Sequence, residues 1–157
     1  MSLREELGFP RPIESRAHET VLGVILAADL LAKECARVVR PCGLTEAQFN
    51  VLMLLRYQSE EGGLDQSTLG RMLVVNRSNV TGLVDRMERS GWVRRTPDVS
   101  DRRVKLVRVT PAGLKVLARA EKAYFQRLEA VVGVLAVEER NTLTRALEKL
   151  RRELNRG

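Results

Sequence analysis

The chain has 157 residues, 44% hydrophobic and 30% charged, which suits one domain or a small domain carrying helical extensions. Its 27 basic and 20 acidic side chains leave a formal charge of +7, a balance that points to an anionic partner such as nucleic acid or a membrane surface. Two cysteines exclude a secreted disulfide framework, the single histidine completes no recognisable zinc pattern, and no apolar run approaches a membrane span. No signal peptide opens the chain, so a cytoplasmic protein is expected, and with no glycine-rich phosphate loop or zinc pattern neither cofactor nor metal is expected.

From Ile13 to Val39, apolar residues recur at Ala17, Val21, Ile25, Ala28, Leu31, Cys35 and Val38. Steps of three and four predict one stripe of a long amphipathic helix. Pro41 and Gly43 in "RPCGL" end it, and "TEAQ" starts a second helix with Thr45 and Gln48 placed as a capping box. The apolar face of that helix is Phe49, Leu52, Met53 and Leu55, and it stops before "SEEGG".

Two short helices are predicted next, Asp65 to Leu73 and Arg77 to Arg89, with Asp65 and Asn76 as caps. The connection "VVN" allows only a tight helix-turn-helix, and Gly70 inside the first of the pair suggests a close helix crossing. "SGWVRRTPDVSDRRVKLVRVT" then reads as a β-hairpin turning around Pro97 and Asp98. Thr110 and Pro111 restart helix, giving Pro111–Leu135 and then Glu138–Asn155, the latter striped with Leu143, Leu147, Leu150 and Leu154.

The order predicts a mainly α fold with a small β-hairpin wing. A winged helix-turn-helix core over 44–110 is flanked by helices in 1–43 and 111–157. The terminal stripes exceed what so small a middle can cover, so a homodimer is expected.

In a winged helix the second helix of the pair enters the major groove of double-stranded DNA with its leading turn. That turn presents Arg77, Ser78, Asn79 and Thr81, with Arg86 further along. All are hydrogen-bonding side chains, and Arg and Asn pair bidentately with guanine and adenine edges. The wing candidates are Arg94, Arg95, Asp101, Arg102 and Arg103. Residues 76–108 hold nine basic and four acidic side chains, so +5 of the +7 is concentrated there.

These stretches resemble the MarR family of winged-helix repressors. The family's hairpin pattern D-x-R-x-x-x-V-x-L-T reads here as Asp101, Arg103, Val107, Val109 and Thr110, with valine replacing leucine at 109. "LTEAQFNVLMLL" and "NRSNVTGLVDRMERSGWVRR" resemble its second helix and recognition helix. The resemblance implies a dimer on a pseudo-palindromic site, wings in the minor groove, and release by a signal. It also implies that Asp101 holds a wing arginine by a charge-assisted bond while Arg103 enters the minor groove.

The family's effectors are small aromatic or anionic molecules, for which Phe49, Met53 and Tyr57 are candidate pocket residues as well as ordinary core. Some members sense peroxides with a cysteine near the start of the first helix. Cys35 and Cys42 lie at its end and beyond, with Cys35 read as core and Cys42 as exposed. The remaining alternatives are an architectural DNA binder without a switch and a hydrolase built on Cys35 and His18.

Overall fold

The computed structural model describes residues 2–59, 63–73 and 79–156. A single turn, α1 (Leu3–Glu6), is closed by a Ser2–Glu5 capping box and is too short for periodicity to reveal. The long helix α2 runs Arg16–Val39. It starts after Ile13 because Ser15 caps it, accepting the His18 amide. A 3₁₀ turn over Arg40–Cys42 carries Pro41, and Gly43 follows at φ 82°, in the left-handed region. Helix α3 (Glu46–Tyr57) opens on the expected box, with the Thr45 amide donating to Gln48 Oε1 at 2.9 Å.

The middle of the chain builds a small sheet and two helices. Strand β1 is Leu64–Asp65 and helix α4 is Gln66–Met72, capped by Asp65, which accepts the Thr68 amide at 2.9 Å. Helix α5 spans Val80–Arg89, and the wing strands are β2 (Val93–Pro97) and β3 (Lys105–Val109). The sheet is antiparallel in the order β1-β3-β2, with Leu64 opposite Val107 and Val93 opposite Val109. The hairpin expected from sequence therefore has a third strand, too short to carry alternation of its own. Helices α6 (Pro111–Val132) and α7 (Val137–Leu154) complete the fold.

One buried cluster holds the lobe together. Phe49, Leu52 and Leu55 of α3 meet Leu69, Leu83, Val84 and Met87 of α4 and α5, with Val93 and Val107 from the sheet. The long helices contribute only Val39, Leu117 and Ala120. Gly70 does not mark a forced crossing: a Cβ there would meet Val80 Cγ2 at 3.5 Å, an ordinary contact. Gly113 does, because a Cβ would come within 2.1 Å of the Trp92 carbonyl oxygen. The start of α6 thus lies directly on the root of β2. Thr110 fixes the same joint, its amide donating to the Trp92 carbonyl at 2.9 Å and its hydroxyl to that of Gly91 at 2.6 Å.

Outside the lobe, apolar faces are left open. Val21, Ile25 and Leu31 of α2, Phe125 of α6 and Leu143, Leu150 and Leu154 of α7 are all exposed, and α7 buries no residue. None of the described helices is long and apolar enough to cross a membrane.

Helices α2 and α6 are joined by Glu34, whose carboxylate accepts from Arg37 at 2.7 and 2.8 Å and pairs with Arg127 across the helices. Hydrogen bonds from Arg37, then Arg127, lower its pKa from 4.5 to about 2. A depressed carboxylate pKa stabilises the fold above 4.5 and loses that contribution as pH falls through about 2. Glu34→Gln should therefore melt below the parent protein at pH 7, with the gap closing as thermal melts are repeated toward pH 2.

Candidate nucleic-acid interface

Helix α5 is amphipathic in a way that decides its outer face. Leu83, Val84 and Met87 are buried, which leaves Thr81, Arg86 and Arg89 exposed. Its N-cap is Asn79, whose Oδ1 accepts the Gly82 amide at 3.0 Å. The cap expected at Asn76, together with Arg77 and Ser78, lies outside the described residues. Asn79 was expected to face bases; its side-chain oxygen is instead engaged by the helix it opens. At the other end the Gly91 amide donates to the Glu88 carbonyl at 2.9 Å and the Trp92 amide to that of Met87 at 3.0 Å. Gly91 takes φ 74°, so the chain leaves the helix through a left-handed cap straight into β2.

The loop between the wing strands is built by its own acids. Asp98 Oδ1 accepts the amides of Ser100 at 2.6 Å and Asp101 at 3.2 Å, as well as the Ser100 hydroxyl. These bonds, the Ser100 hydroxyl first, hold the Asp98 carboxyl below its ordinary range. Asp101 Oδ1 accepts the Arg103 amide at 2.9 Å. Asp101 therefore shapes the main chain beneath Arg103, where the resemblance implied a grip on a guanidinium. Arg94, Arg102, Arg103 and Lys105 all stand exposed around this loop.

Arg95 departs from the wing role expected of it. Its side chain is 19% exposed and turns inward, with one guanidinium nitrogen 2.5 Å from Asp85 Oδ1 and another 2.5 Å from Glu88 Oε2. Its amide also donates to Glu88 Oε1 at 2.8 Å. Burial opposes the Arg95 charge, yet the two carboxylates outweigh it and raise its pKa. Alternation along β2 explains the difference: Arg94 and Arg95 face opposite sides of the strand. Arg108 on β3 is likewise engaged, its Nε donating to Thr96 Oγ1 at 2.9 Å.

Behind the helix pair lies a cavity of about 350 Å³, between α2, α3, the end of α4 and α6. Met53 and Tyr57 line it with Glu46, Asn50, Cys35 and Tyr124. Phe49 does not; it is fully buried and packs at a tilt against Tyr124, ring centroids 4.8 Å apart. Tyr57 donates its hydroxyl proton to Glu121, and the Arg56 guanidinium lies 5.4 Å from its ring centre. Glu46 and Tyr124 were not singled out from sequence, although Glu46, Asn50, Met53 and Tyr57 share one helical face at three- and four-residue steps.

Both cysteines are partly buried. Cys42 packs on the core, contrary to the expectation that it is exposed. Burial raises the pKa of the Cys35 thiol, which works against the thiolate that redox sensing needs.

A helix pair with a cationic outer face, joined through a tight cap to an arginine-rich hairpin, defines a winged-helix DNA-binding protein. The MarR family model matches residues 44–105, covering the second helix through the wing. YfiV of Bacillus subtilis, an uncharacterized HTH-type transcriptional regulator, is 33% identical over 68% of this chain and 69% of its own. The chain belongs to the MarR family and is a DNA-binding regulator. BadR of Rhodopseudomonas palustris, a transcriptional activatory protein, is 41% identical over 62% of this chain. That match spans only 58% of BadR, less than two thirds of its length. The fold is also that of Sco3205, a MarR family transcriptional regulator from Streptomyces coelicolor crystallised in complex with DNA. The two agree with a TM-score of 0.77 at 26% identity, over 92% of each chain.

A Cys35→Ser, Cys42→Ser double variant should retain DNA binding within about two-fold, as expected of cysteines that only pack. Peroxide-dependent release in gel-shift titrations that vanishes in this variant would reinstate the redox reading.

Proposed function

We propose that the protein is a cytoplasmic homodimeric repressor of a pseudo-palindromic operator, reading the major groove with α5 and tracking the minor groove with the wing. One observation carries this. Arg86, Arg89, Arg94, Arg102, Arg103 and Lys105 are all exposed on α5 and the wing, while the acids among them are engaged in shaping that surface. A cationic surface neutralises phosphates; the proposed base readers are Thr81, in the first turn of α5, and Arg77 and Ser78, which precede the helix in the sequence. The likeness to Sco3205, crystallised with DNA, supports DNA as the partner.

The sense of control is the finer part of the reading. Occupying a promoter represses by exclusion, whereas BadR is an activatory protein by name. Selection from random duplex DNA should recover an inverted repeat, and transcription in vitro from a promoter carrying it should fall. No consensus would favour an architectural binder, and a rise in transcription would favour activation. The cavity behind α4 is the proposed effector site. Among the described residues lining it, Glu46 is the charged one, and burial raises its pKa. A carboxylate there opposes an anion, so an uncharged aromatic molecule is the proposed occupant.

The wing reading makes a salt-dependent prediction. Arg103→Ala should weaken operator binding, most where A·T-rich flanks narrow the minor groove. With two wings per dimer, the slope of log affinity against log salt should shrink in magnitude by about two. Unchanged affinity and slope would make the wing a bystander.

The dimer is proposed from the open faces of α2, α6 and α7. Replacing Leu147 and Leu150 by aspartate should give monomers or insoluble protein in sedimentation velocity. A folded dimer of unaltered tightness would contradict it.

A further inference from the structure

We propose that Arg95 is a positioning residue: it sets the placement of α5 against the wing, and thereby the sequence preference of DNA binding, without touching DNA itself. This rests on the reading that α5 and the wing reach DNA together.

The geometry is specific to a guanidinium. Asp85 and Glu88 lie three residues apart on one flank of α5, and Arg95 reaches both from β2, each at 2.5 Å. Glu88 spreads further, its second oxygen accepting the Arg95 amide at 2.8 Å. Strand β2 is the edge of the sheet, paired on one side by β3 alone. Glu88 thus satisfies an edge amide that no strand covers, and ties that edge to the helix.

A planar fork held at two points on one helix resists both rotation about the helix axis and sliding along it, which a single ammonium contact does not. Apolar packing selects which face α5 turns inward, and the fork restrains the smaller rotations and shifts that remain. The helix has ten residues and buries only Leu83, Val84 and Met87. Base readout in the groove demands placement to within about 0.5 Å, so the brace acts on specificity more than on bulk attraction.

A different role is available to the same residue: neutralising two carboxylates beside a phosphate backbone. Three variants separate the two. Arg95→Met keeps the stem and removes the fork, Arg95→Lys keeps the charge, and the triple variant Asp85→Asn, Glu88→Gln, Arg95→Met removes all three charges. Each is checked for folding by thermal melt, then titrated with the operator selected by the parent protein and with a scrambled duplex of equal length.

Positioning predicts that Arg95→Met lowers the ratio of operator to scrambled affinity about ten- to a hundred-fold, the worth of one well-placed base contact. Arg95→Lys should lose about as much preference although its charge is kept, and the triple variant should not regain it. If the triple variant recovers the parent ratio, or Arg95→Lys behaves as the parent, charge compensation is the role and the proposal fails. Equal losses on both duplexes would make Arg95 a phosphate contact and overturn it as well. Should Arg95→Met fail to fold, the lysine variant and the triple variant decide. A parent protein that shows no operator preference at all would sink the underlying reading of α5 and the wing, a result distinct from a preference that survives Arg95→Met.

Discussion

Burial of Leu83, Val84 and Met87 governs the outer surface of the lobe. Those three side chains can reach the core only from one face of α5, so the rotation of the helix is settled by apolar packing before any charge is considered. Thr81, Arg86 and Arg89 are then outward by necessity. The left-handed cap at Gly91 carries that orientation directly into β2, where alternation sends Arg94 out and Arg95 in. One hydrophobic stripe thus selects which cations of a basic segment meet solvent and which meet carboxylates.

The acids of this segment have work that net charge conceals. Asp98 and Asp101 fold the wing loop around their own oxygens, and Asp85 and Glu88 receive Arg95. A tally of nine basic against four acidic residues treats these as opposing contributions. In the folded chain the acids hold the wing's shape while Arg94, Arg102 and Arg103 stay outward.

Features with a local cause were legible in the sequence. The caps at Thr45, Asp65 and Thr110 follow from side-chain chemistry within one turn, and the structure forms each of them. The mainly helical order with a small β wing was legible as well, because long stripes announce themselves by period. The rest was set by tertiary contact. Strand β1 has two residues and exists because β3 offers a free edge. Asn79, read as a base contact, caps α5, a role its local sequence also permits. Arg95 and Arg94 are adjacent arginines that only strand register tells apart. Cys42 looked exposed beside Pro41 and Gly43, but the 3₁₀ turn folds it back onto the core.

The joint at Gly113 gives the molecule a mechanical character. Helix α6 meets the carbonyl of Trp92 with no room for a methyl group, and Thr110 pins the same spot. A lever hinged so tightly has no play at its fulcrum. The start of α6 and the root of β2 are therefore one rigid piece, so a displacement of either is shared by the other. The packing slack nearby lies instead in the cavity flanked by Met53, Tyr57 and Tyr124.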